Sequence, residues 1–467
     1  MSLNDHIGER KRRMQFRWIL VITIAMVTIA SLQTKDVCHG RDGFHVPFTV
    51  DSSSHVGQVS VTCLASPDNC FDVVNGILAG AQESIYISVY TLSSGYLLDT
   101  IHERMSSGVD VRLLLEYWQV SHYERSYNRY AMNNLTVLGT AQGLWASLGF
   151  DFQHCKYAII DNETLIISSG NWARSSCPKP QDDGDVDGNR DWWFVVHGNA
   201  TSTGQAVVDD FLELFEDDWD LGFEFNETED GLGFAQSYDR HGSPSFKPFI
   251  RSLMTVQQQM TIERVLSPDD SQSKIISLIE SANQSLLIEQ MYIYDDLTAI
   301  LNAIIAARAR GVNCCVIQGH GISEEENNAS AEILEASGVK VRRCKSNSSI
   351  GLPFDTQHNK GVIVDGKFVL VSSINWSPTS INDNREAGLI IGSTTVAGYY
   401  TDLFNHDWER SVPFNGTNGG GPIPEVPGYH LPIMIISIAG TALILIIPWN
   451  ERKHGKAGSI PRGNLGR

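Results

Sequence analysis

The chain has few basic residues for its length. Its 467 residues include 35 Lys and Arg against 54 Asp and Glu, so the net charge at pH 7 is -19. An acidic surface repels polyanions, and only a local basic groove would give such a protein affinity for nucleic acid. The composition therefore disfavours general nucleic-acid binding, and a nuclease stays an alternative only if the chain builds such a groove.

The cysteines lack the CxxC spacing that is typical of zinc sites. We expect no metal and no other cofactor. An even number of cysteines is compatible with disulfides in an oxidising compartment. Proximity favours a pair between Cys63 and Cys70, and Cys344 is predicted to pair with Cys314 or Cys315 if their strands are neighbours.

Two long apolar runs stand at the ends of the chain. Residues 16–32 follow a basic cluster at 10–13 and are either a signal peptide or an uncleaved signal anchor. Residues 431–449 have about the ~20 residues that a membrane-spanning helix needs, and basic residues follow them. Because basic flanks stay on the cytoplasmic side, we expect a membrane protein whose central region lies on the extracytoplasmic side.

The central region contains a duplication. Four landmarks recur in the same order, and the spacing from Pro67 to His154 nearly matches that from Pro268 to His358. The pairs are SPD at 66–68 and 267–269, HCKYAIID at 154–161 and HNKGVIVD at 358–365, NRD at 189–191 and NRE at 384–386, and FEDDW at 215–219 and FNHDW at 404–408.

Within each copy, apolar runs typical of strands alternate with helical patterns. This alternation predicts an α/β fold of two similar sandwich domains with mixed sheets, and hydrophobic helices at both chain ends. The expected boundaries are 1–33 for the basic segment and signal sequence, 57–245 and 246–412 for the two domains, 413–429 for a Gly/Pro-rich stalk, 430–449 for the transmembrane helix and 450–467 for a cytoplasmic tail.

Both copies contain the pattern His-x-Lys, four residues, Asp, seven residues, Ser-x-Asn. In a strand, residues two apart project from one face, so the imidazole and the ammonium group of each copy share a pocket. Ser and Asn on the next strand add neutral donors, and such a cluster suits the oxygens of a phosphate diester. The residues are His154, Lys156, Asp161, Ser169 and Asn171 in the first copy, and His358, Lys360, Asp365, Ser373 and Asn375 in the second.

Two other features are less specific. Trp172, Trp192, Trp193 and Trp376 flank the motifs and either line a groove or pack behind the strands. Residues 183–188 begin like a calcium-binding loop, but Phe194 stands where a bidentate Glu is expected. We interpret this segment as an acidic, solvated loop.

The paired motifs resemble the HxKxxxxD signatures of the phospholipase D superfamily, and the resemblance spans about residues 57–412. The chain differs from the usual pattern at Ser168 and Ser372, where a glycine often precedes the serine. The resemblance implies a duplicated phospholipase D fold, in which two halves pack around a pseudo-two-fold axis and both motifs meet at their interface.

The resemblance also implies roles for the site residues. His154 would attack phosphorus to form a phosphohistidine, and His358 would protonate the leaving alcohol and then activate water or an acceptor alcohol; the reverse assignment stays open. Lys156, Lys360, Asn171 and Asn375 would hold phosphate oxygens, with Ser169 and Ser373 beside them. Asp191 and Glu386 would each accept a hydrogen bond from a histidine Nδ1. Asp161 and Asp365 are expected to form structural salt bridges at the strand turns.

The leading hypothesis is phospholipase D-like cleavage or transphosphatidylation of a phospholipid, with the membrane as partner. The alternative is a metal-independent nuclease that acts on single-stranded nucleic acid, and a third is a binding module that keeps only the phosphate pocket. A nuclease would show a continuous Lys/Arg groove at the two histidines, whereas a lipase would show an apolar rim.

Overall fold

The computed structural model describes residues 54–120, 122–147, 149–181, 186–226, 248–250, 253–344, 352 and 354–414. The predicted terminal apolar segments and residues 415–429 of the predicted stalk lie outside these ranges. Across the described ranges, no helix combines the length and the apolar composition that crossing a bilayer requires.

The first half alternates strands and helices as the sequence predicts. Its elements are β1 (Ser54–Ser66), α1 (Cys70–Gly80), β2 (Ser84–Val89), α2 (Gly95–Ser106), β3 (Asp110–Leu115), α3 (His122–Met132), β4 (Gln142–Trp145), β5 (Lys156–Ile160), β6 (Thr164–Ser168), β7 (Asp191–His197), α4 (Ser202–Asp220) and β8 (Phe223–Glu224).

The second half repeats this order with one additional short helix. Its elements are β9 (Met254–Ser267), α5 (Ser271–Glu280), β10 (Ser285–Gln290), α6 (Thr298–Ala309), β11 (Asn313–Gln318), α7 (Glu324–Ala336), β12 (Lys340–Arg343), β13 (Lys360–Val364), β14 (Phe368–Ser372), α8 (Pro378–Asn382), β15 (Glu386–Gly392), α9 (Thr394–Arg410) and β16 (Val412–Pro413).

One continuous sheet joins the halves. From the centre outwards, the first half has the order β1-β7-β6-β5-β2-β3-β4-β8 and the second has β9-β15-β14-β13-β10-β11-β12-β16. The long strands β1 and β9 pair antiparallel, from Ser54 opposite Glu263 to Cys63 opposite Met254. The duplicated, mixed α/β fold is therefore confirmed, but the halves share a single sheet.

Helices cover both faces of the sheet, which explains why the strands read as continuous apolar runs. One face carries a core shared by both halves under α4 and α9. The other face carries two separate cores, one under α1–α3 and one under α5–α7. The motif strands β5 and β13 are buried along their whole length. This burial gives the site that precedes them a rigid support.

The motif aspartates directly follow the strands β5 and β13, and within the described part of the chain they bind backbone amides and form none of the predicted salt bridges. Both adopt left-handed backbone angles, with φ of 54° at Asp161 and 52° at Asp365. Aspartate tolerates this conformation better than most residues. Each carboxylate accepts backbone N–H groups at the start of the neighbouring strand, from residues 82–84 and 283–285 respectively. The strand-end turn places these carboxylates beside backbone amides of the neighbouring strand, and these bonds hold the sheet together.

The predicted disulfides are also wrong within the described part of the chain, where all seven cysteines are free and buried. Cys63 faces the shared core, whereas Cys70 lies in the core on the opposite face of the sheet. Cys314 packs into the second-half core, whereas Cys344 lies in the shared core. Cys344 bonds through its N–H to the carbonyl oxygen of Gln318, three residues beyond Cys315. That offset is about 10 Å along a strand, which exceeds the Cα separation that a disulfide bridges.

Candidate active site

Both motif histidines stand just before a buried strand, and each is tied to the opposite half of the chain. The N–H of His154 donates to the carbonyl oxygen of Arg385 at 2.8 Å, and the N–H of His358 donates to that of Arg190 at 3.0 Å. Each histidine is therefore fixed beside the acidic residue that follows the arginine of the other half. The halves together build one site.

The acidic residues hold the imidazoles across the interface. Nδ1 of His154 donates to Oε2 of Glu386 at 2.8 Å, and Nδ1 of His358 donates to Oδ1 of Asp191 at 2.9 Å. Both carboxylates are fully buried, and the histidine side chains are 13% and 14% exposed. Because Nδ1 of each ring is engaged, Nε2 is the nitrogen that remains for chemistry.

Ser169 and Ser373 bind the two buried acids. The hydroxyl of Ser169 donates to Oδ1 of Asp191 at 2.8 Å, and that of Ser373 donates to Oε2 of Glu386 at 2.7 Å. Both serines are fully buried. Each serine lies opposite a carboxylate of the neighbouring strand. Its hydroxyl orients that carboxylate, which in turn orients a histidine.

The two motif lysines lie in the same cluster and are fully buried. Nζ of Lys156 donates to the carbonyl oxygen of His154 at 2.8 Å. Nζ of Lys360 donates to the carbonyl oxygen of Ser169 at 3.3 Å and lies 3.2 Å from Nε2 of His358. The charges of both lysines act on both imidazoles. The motifs therefore bring both lysines and both histidines into a single site.

Burial and the lysine charges shift the proton affinities of this site. Burial, with Lys156 and Lys360, lowers the pKa of His154 to about 4 against the opposing pull of Glu386. The pKa of His358 is also lowered, by burial and by the two lysines. Burial, assisted by Lys156, lowers the pKa of Lys360 to about 7. Both imidazoles of the free site are thus neutral at pH 7.

The two buried acids stay ionised. Burial disfavours the charge on Asp191, but His358, Lys360 and the hydroxyl of Ser169 outweigh it and lower its pKa. In the same way, His154, Lys156 and Ser373 lower the pKa of Glu386 against its burial. Each histidine therefore faces a permanent carboxylate.

The motif asparagines also lie at the site. The side-chain carbonyl oxygens of Asn171 and Asn375 are buried, and neither has a hydrogen-bond partner within the described part of the chain. A buried polar atom without a partner costs free energy, so these amides are suited to a ligand that completes their bonding.

Arg190 and Arg385 connect the repeated landmarks through ion pairs that the sequence pattern did not predict. Nε of Arg190 donates to Asp407 at 2.6 Å, and the same guanidinium pairs with Asp68. Arg385 pairs with Asp218 at 2.9 Å and with Asp269 at 2.6 Å. The SPD, NRD/NRE and DW landmarks thus belong to one pair of crossed ion networks. The recurrence of these landmarks was the signal that could have revealed it.

Other residues near the motifs have simpler roles. The four tryptophans beside the motifs are fully buried, so they pack behind the strands and do not line a groove. Tyr90 contacts the ring of His154 with the two ring centres 4.8 Å apart. Tyr90 belongs to no repeated landmark, so the sequence pattern carries no signal for it.

Comparison with known proteins identifies the family. A family model described as cardiolipin synthase, PLD-like domain, matches residues 75–219 and 275–408. These stretches cover more than half of the chain, and each contains one motif. The chain belongs to the phospholipase D superfamily.

This phospholipase D-like chain is similar to mitochondrial cardiolipin hydrolases. The mouse (Mus musculus) protein is 27% identical over 136 residues, which are 25% of this chain and 60% of that protein. The Xenopus laevis protein is 27% identical over 161 residues, or 32% of this chain and 73% of that protein. The chain therefore spans less than two thirds of the mouse relative.

A solved structure shares the fold over most of the chain. Phosphatidylserine synthase from Haemophilus influenzae Rd KW20 aligns with a TM-score of 0.53 at 12% identity. The alignment covers 76% of this chain and 89% of that one. At this identity the likeness concerns the fold alone.

Proposed function

We propose that the protein is a phosphodiesterase that acts on phospholipids through a covalent phosphohistidine, by hydrolysis or by transphosphatidylation. The observation that carries the proposal is the crossed pair of histidine–carboxylate bonds beside two buried lysines. Two oriented imidazoles provide a nucleophile and an acid–base group, and the lysines provide positive charge where phosphate oxygens would lie.

In the first proposed step, Nε2 of His154 forms a bond to phosphorus while the bond from phosphorus to the leaving oxygen breaks. The electron pair departs with that oxygen, and His358 supplies its proton. In the second step, His358 takes a proton from water or an acceptor alcohol, whose oxygen bonds to phosphorus while the phosphorus–nitrogen bond breaks. After the two steps, His154 is again free of phosphorus and His358 again carries its proton.

The electrostatics of the site support these roles. A pKa of about 4 keeps His154 neutral and nucleophilic at pH 7. A bound phosphodiester brings negative charge next to His358, which favours its protonated form and opposes the lowering by the lysines. Lys156, Lys360, Asn171 and Asn375 would hold the phosphate oxygens.

Phospholipid is the proposed substrate class for three reasons. The matching family model and the curated relatives carry cardiolipin in their descriptions. The net charge of -19 disfavours polyanions. The loop after β3 exposes Trp118 (43%) and Val120 (75%), and the N–H of Val120 donates to Oη of Tyr90 beside His154. This loop supplies an apolar rim, and the terminal apolar runs support a membrane location with the site outside the cytoplasm.

A paired assay tests the proposal. Vesicles of headgroup-labelled phospholipid and single-stranded oligonucleotides are each incubated with the protein, with and without EDTA, and His154→Ala and His358→Ala serve as controls. We expect headgroup release that survives EDTA, intact oligonucleotides and no turnover by either variant. Cleavage of the oligonucleotides with intact lipid would replace the lipid hypothesis by the nuclease alternative.

A further inference from the structure

The two motifs share their acids, lysines and amides, but they differ at the residue whose N–H bonds to the position after each histidine. The N–H of Tyr90 donates to the carbonyl oxygen of Cys155 at 3.1 Å, and that of Met291 donates to the carbonyl oxygen of Asn359 at 2.9 Å. Cys155 and Asn359 each follow a motif histidine. Tyr90 and Met291 are therefore equivalent positions of the duplication, one aromatic and one a flexible thioether.

The ring of Tyr90 packs edge-to-face against the imidazole of His154. The ring centres are 4.8 Å apart and the planes meet at 66°. Nζ of Lys156 lies 5.4 Å from the centre of the same tyrosine ring. With Glu386 bound to Nδ1, the imidazole of His154 is held both by a hydrogen bond and by a ring contact. A methionine has more rotatable bonds and adapts its shape, so it fixes a neighbouring ring less well.

A buried polar frame holds Tyr90 in place. Its carbonyl oxygen accepts from Nε2 of Gln119 and Nδ2 of Asn128, both at 2.8 Å, and its hydroxyl oxygen accepts from the N–H of Val120 at 2.9 Å. Gln119 and Asn128 are fully buried. The second half keeps the asparagine, since Nδ2 of Asn327 donates to the carbonyl oxygen of Met291 at 3.3 Å.

Glu116 extends the frame in the first half alone. Its carboxylate accepts the N–H of Trp118 and, at 2.6 Å, the N–H of Gln153, the residue before His154. Glu116 follows β3 as Gly319 follows β11. A Cβ at Gly319 would lie 2.6 Å from the carbonyl oxygen of Met291, so no side chain fits there. The N–H of the residue before His154 is thus bound by a carboxylate from a position where the second half has glycine.

We infer that Tyr90 is a positioning residue that holds the His154 imidazole for attack on phosphorus and so makes the two histidines unequal. This inference rests on the proposed function. The clamped ring belongs to the nucleophile, which must present Nε2 in line with the leaving oxygen. His358 exchanges protons with two different oxygens and tolerates a less rigid neighbour.

Pre-steady-state hydrolysis of bis(p-nitrophenyl) phosphate tests the inference. Nitrophenolate leaves as a stable anion without an acid, so the burst of nitrophenolate reports on the nucleophile, and the later steady state reports on breakdown of the phosphoenzyme. Tyr90→Met gives the first half the residue that the second half has at the equivalent position. Tyr90→Phe keeps the ring, and Met291→Leu is the matched change in the other half.

We expect Tyr90→Met to slow the burst by about tenfold, because an aromatic pair contributes up to about 1.5 kcal/mol. Breakdown should change little, and Tyr90→Phe and Met291→Leu should keep the burst rate. A normal burst with slowed breakdown in Tyr90→Met would make His154 the base and overturn the inference, as would equal losses in the Phe and Met variants. Turnover by the unmodified protein that leaves no alkali-stable phosphoenzyme would overturn the proposed function itself, before a variant is made.

Discussion

At the residue scale, the site consists of histidines whose partners come from the opposite half. Nδ1 of each ring is bound to a buried carboxylate, which is in turn bound by a buried serine hydroxyl. This chain of hydrogen bonds fixes the ring and its tautomer, as the acid does in a Ser-His-Asp triad. The sequence pattern places the serines among the phosphate ligands, and in the structure their hydroxyls bind the two acids.

The lowered proton affinities predict an acidic optimum for kcat/KM. His154 must be neutral, and its pKa of about 4 keeps it so at pH values above 4. Lys360 must be charged to hold phosphate, and its pKa of about 7 means that this charge is present below pH 7 and lost above it. We expect kcat/KM on bis(p-nitrophenyl) phosphate, whose leaving group needs no proton from His358, to fall below about pH 4 and above about pH 7.

Lys360→Arg provides the control for the alkaline side, because arginine keeps its charge throughout this range. In that variant the fall above pH 7 should disappear, whatever the absolute rate. An alkaline fall that persists unchanged would show that a group other than Lys360 is responsible.

At the element scale, the crossed ion networks join α4 and α9 to the turns of the opposite half. The Arg190–Asp407 pair is fully buried. Removing one partner of such a pair leaves an uncompensated buried charge, at a cost of about 3–5 kcal/mol. We expect Asp407→Asn to lower the free energy of unfolding by about that amount in urea denaturation.

Glu216→Gln is the matched control, since Glu216 pairs with Arg112 at 3.2 Å but is 47% exposed. An exposed pair contributes about 0–1 kcal/mol, so this variant should be nearly as stable as the unmodified protein. Equal losses in the two variants would argue against a special role for the buried network.

The aspartates that follow β5 and β13 bind only backbone amides in the described part of the chain, so we expect their substitution to lower stability and leave activity unchanged. Asp365 accepts three backbone N–H groups at the start of β10. An amide at this position accepts fewer of them, so Asp365→Asn should lower the free energy of unfolding by about 1–3 kcal/mol. Its kcat, measured on folded protein, should stay near the original value. A stable Asp365→Asn protein without activity would instead assign this aspartate to the reaction.

The repeat in the sequence was sufficient to predict the order of elements, and the family resemblance implied the bonds from histidine Nδ1 to Asp191 and Glu386. It did not predict that the pairs cross between halves, because the crossing depends on how β1 and β9 join two segments far apart in the chain. The sequence also did not predict which face of the sheet the cysteine side chains occupy. Cys63 and Cys70 are close in sequence, yet they face opposite sides of the sheet. Tyr90 was missed because its equivalent is Met291.

At the scale of the whole molecule, the halves are one folding unit. They share a central strand pair, a continuous core on one face and the crossed ion networks. Neither half could expose these surfaces to water without a large loss of buried apolar area. We therefore expect a single cooperative unfolding transition, with tryptophan fluorescence and far-UV circular dichroism giving the same midpoint. Two separated transitions would show that the halves fold independently.

The central claim is that both halves act on one phosphorus atom, with His154 as the nucleophile. The most direct measurement is to trap the protein during turnover of 32P-labelled bis(p-nitrophenyl) phosphate, whose leaving group needs no acid, under alkaline conditions, which preserve phosphohistidine, and to map the labelled peptide. The account predicts a single label on His154, which accumulates in His358→Ala and is absent from His154→Ala. Label on His358, or separate labels on both histidines, would contradict it.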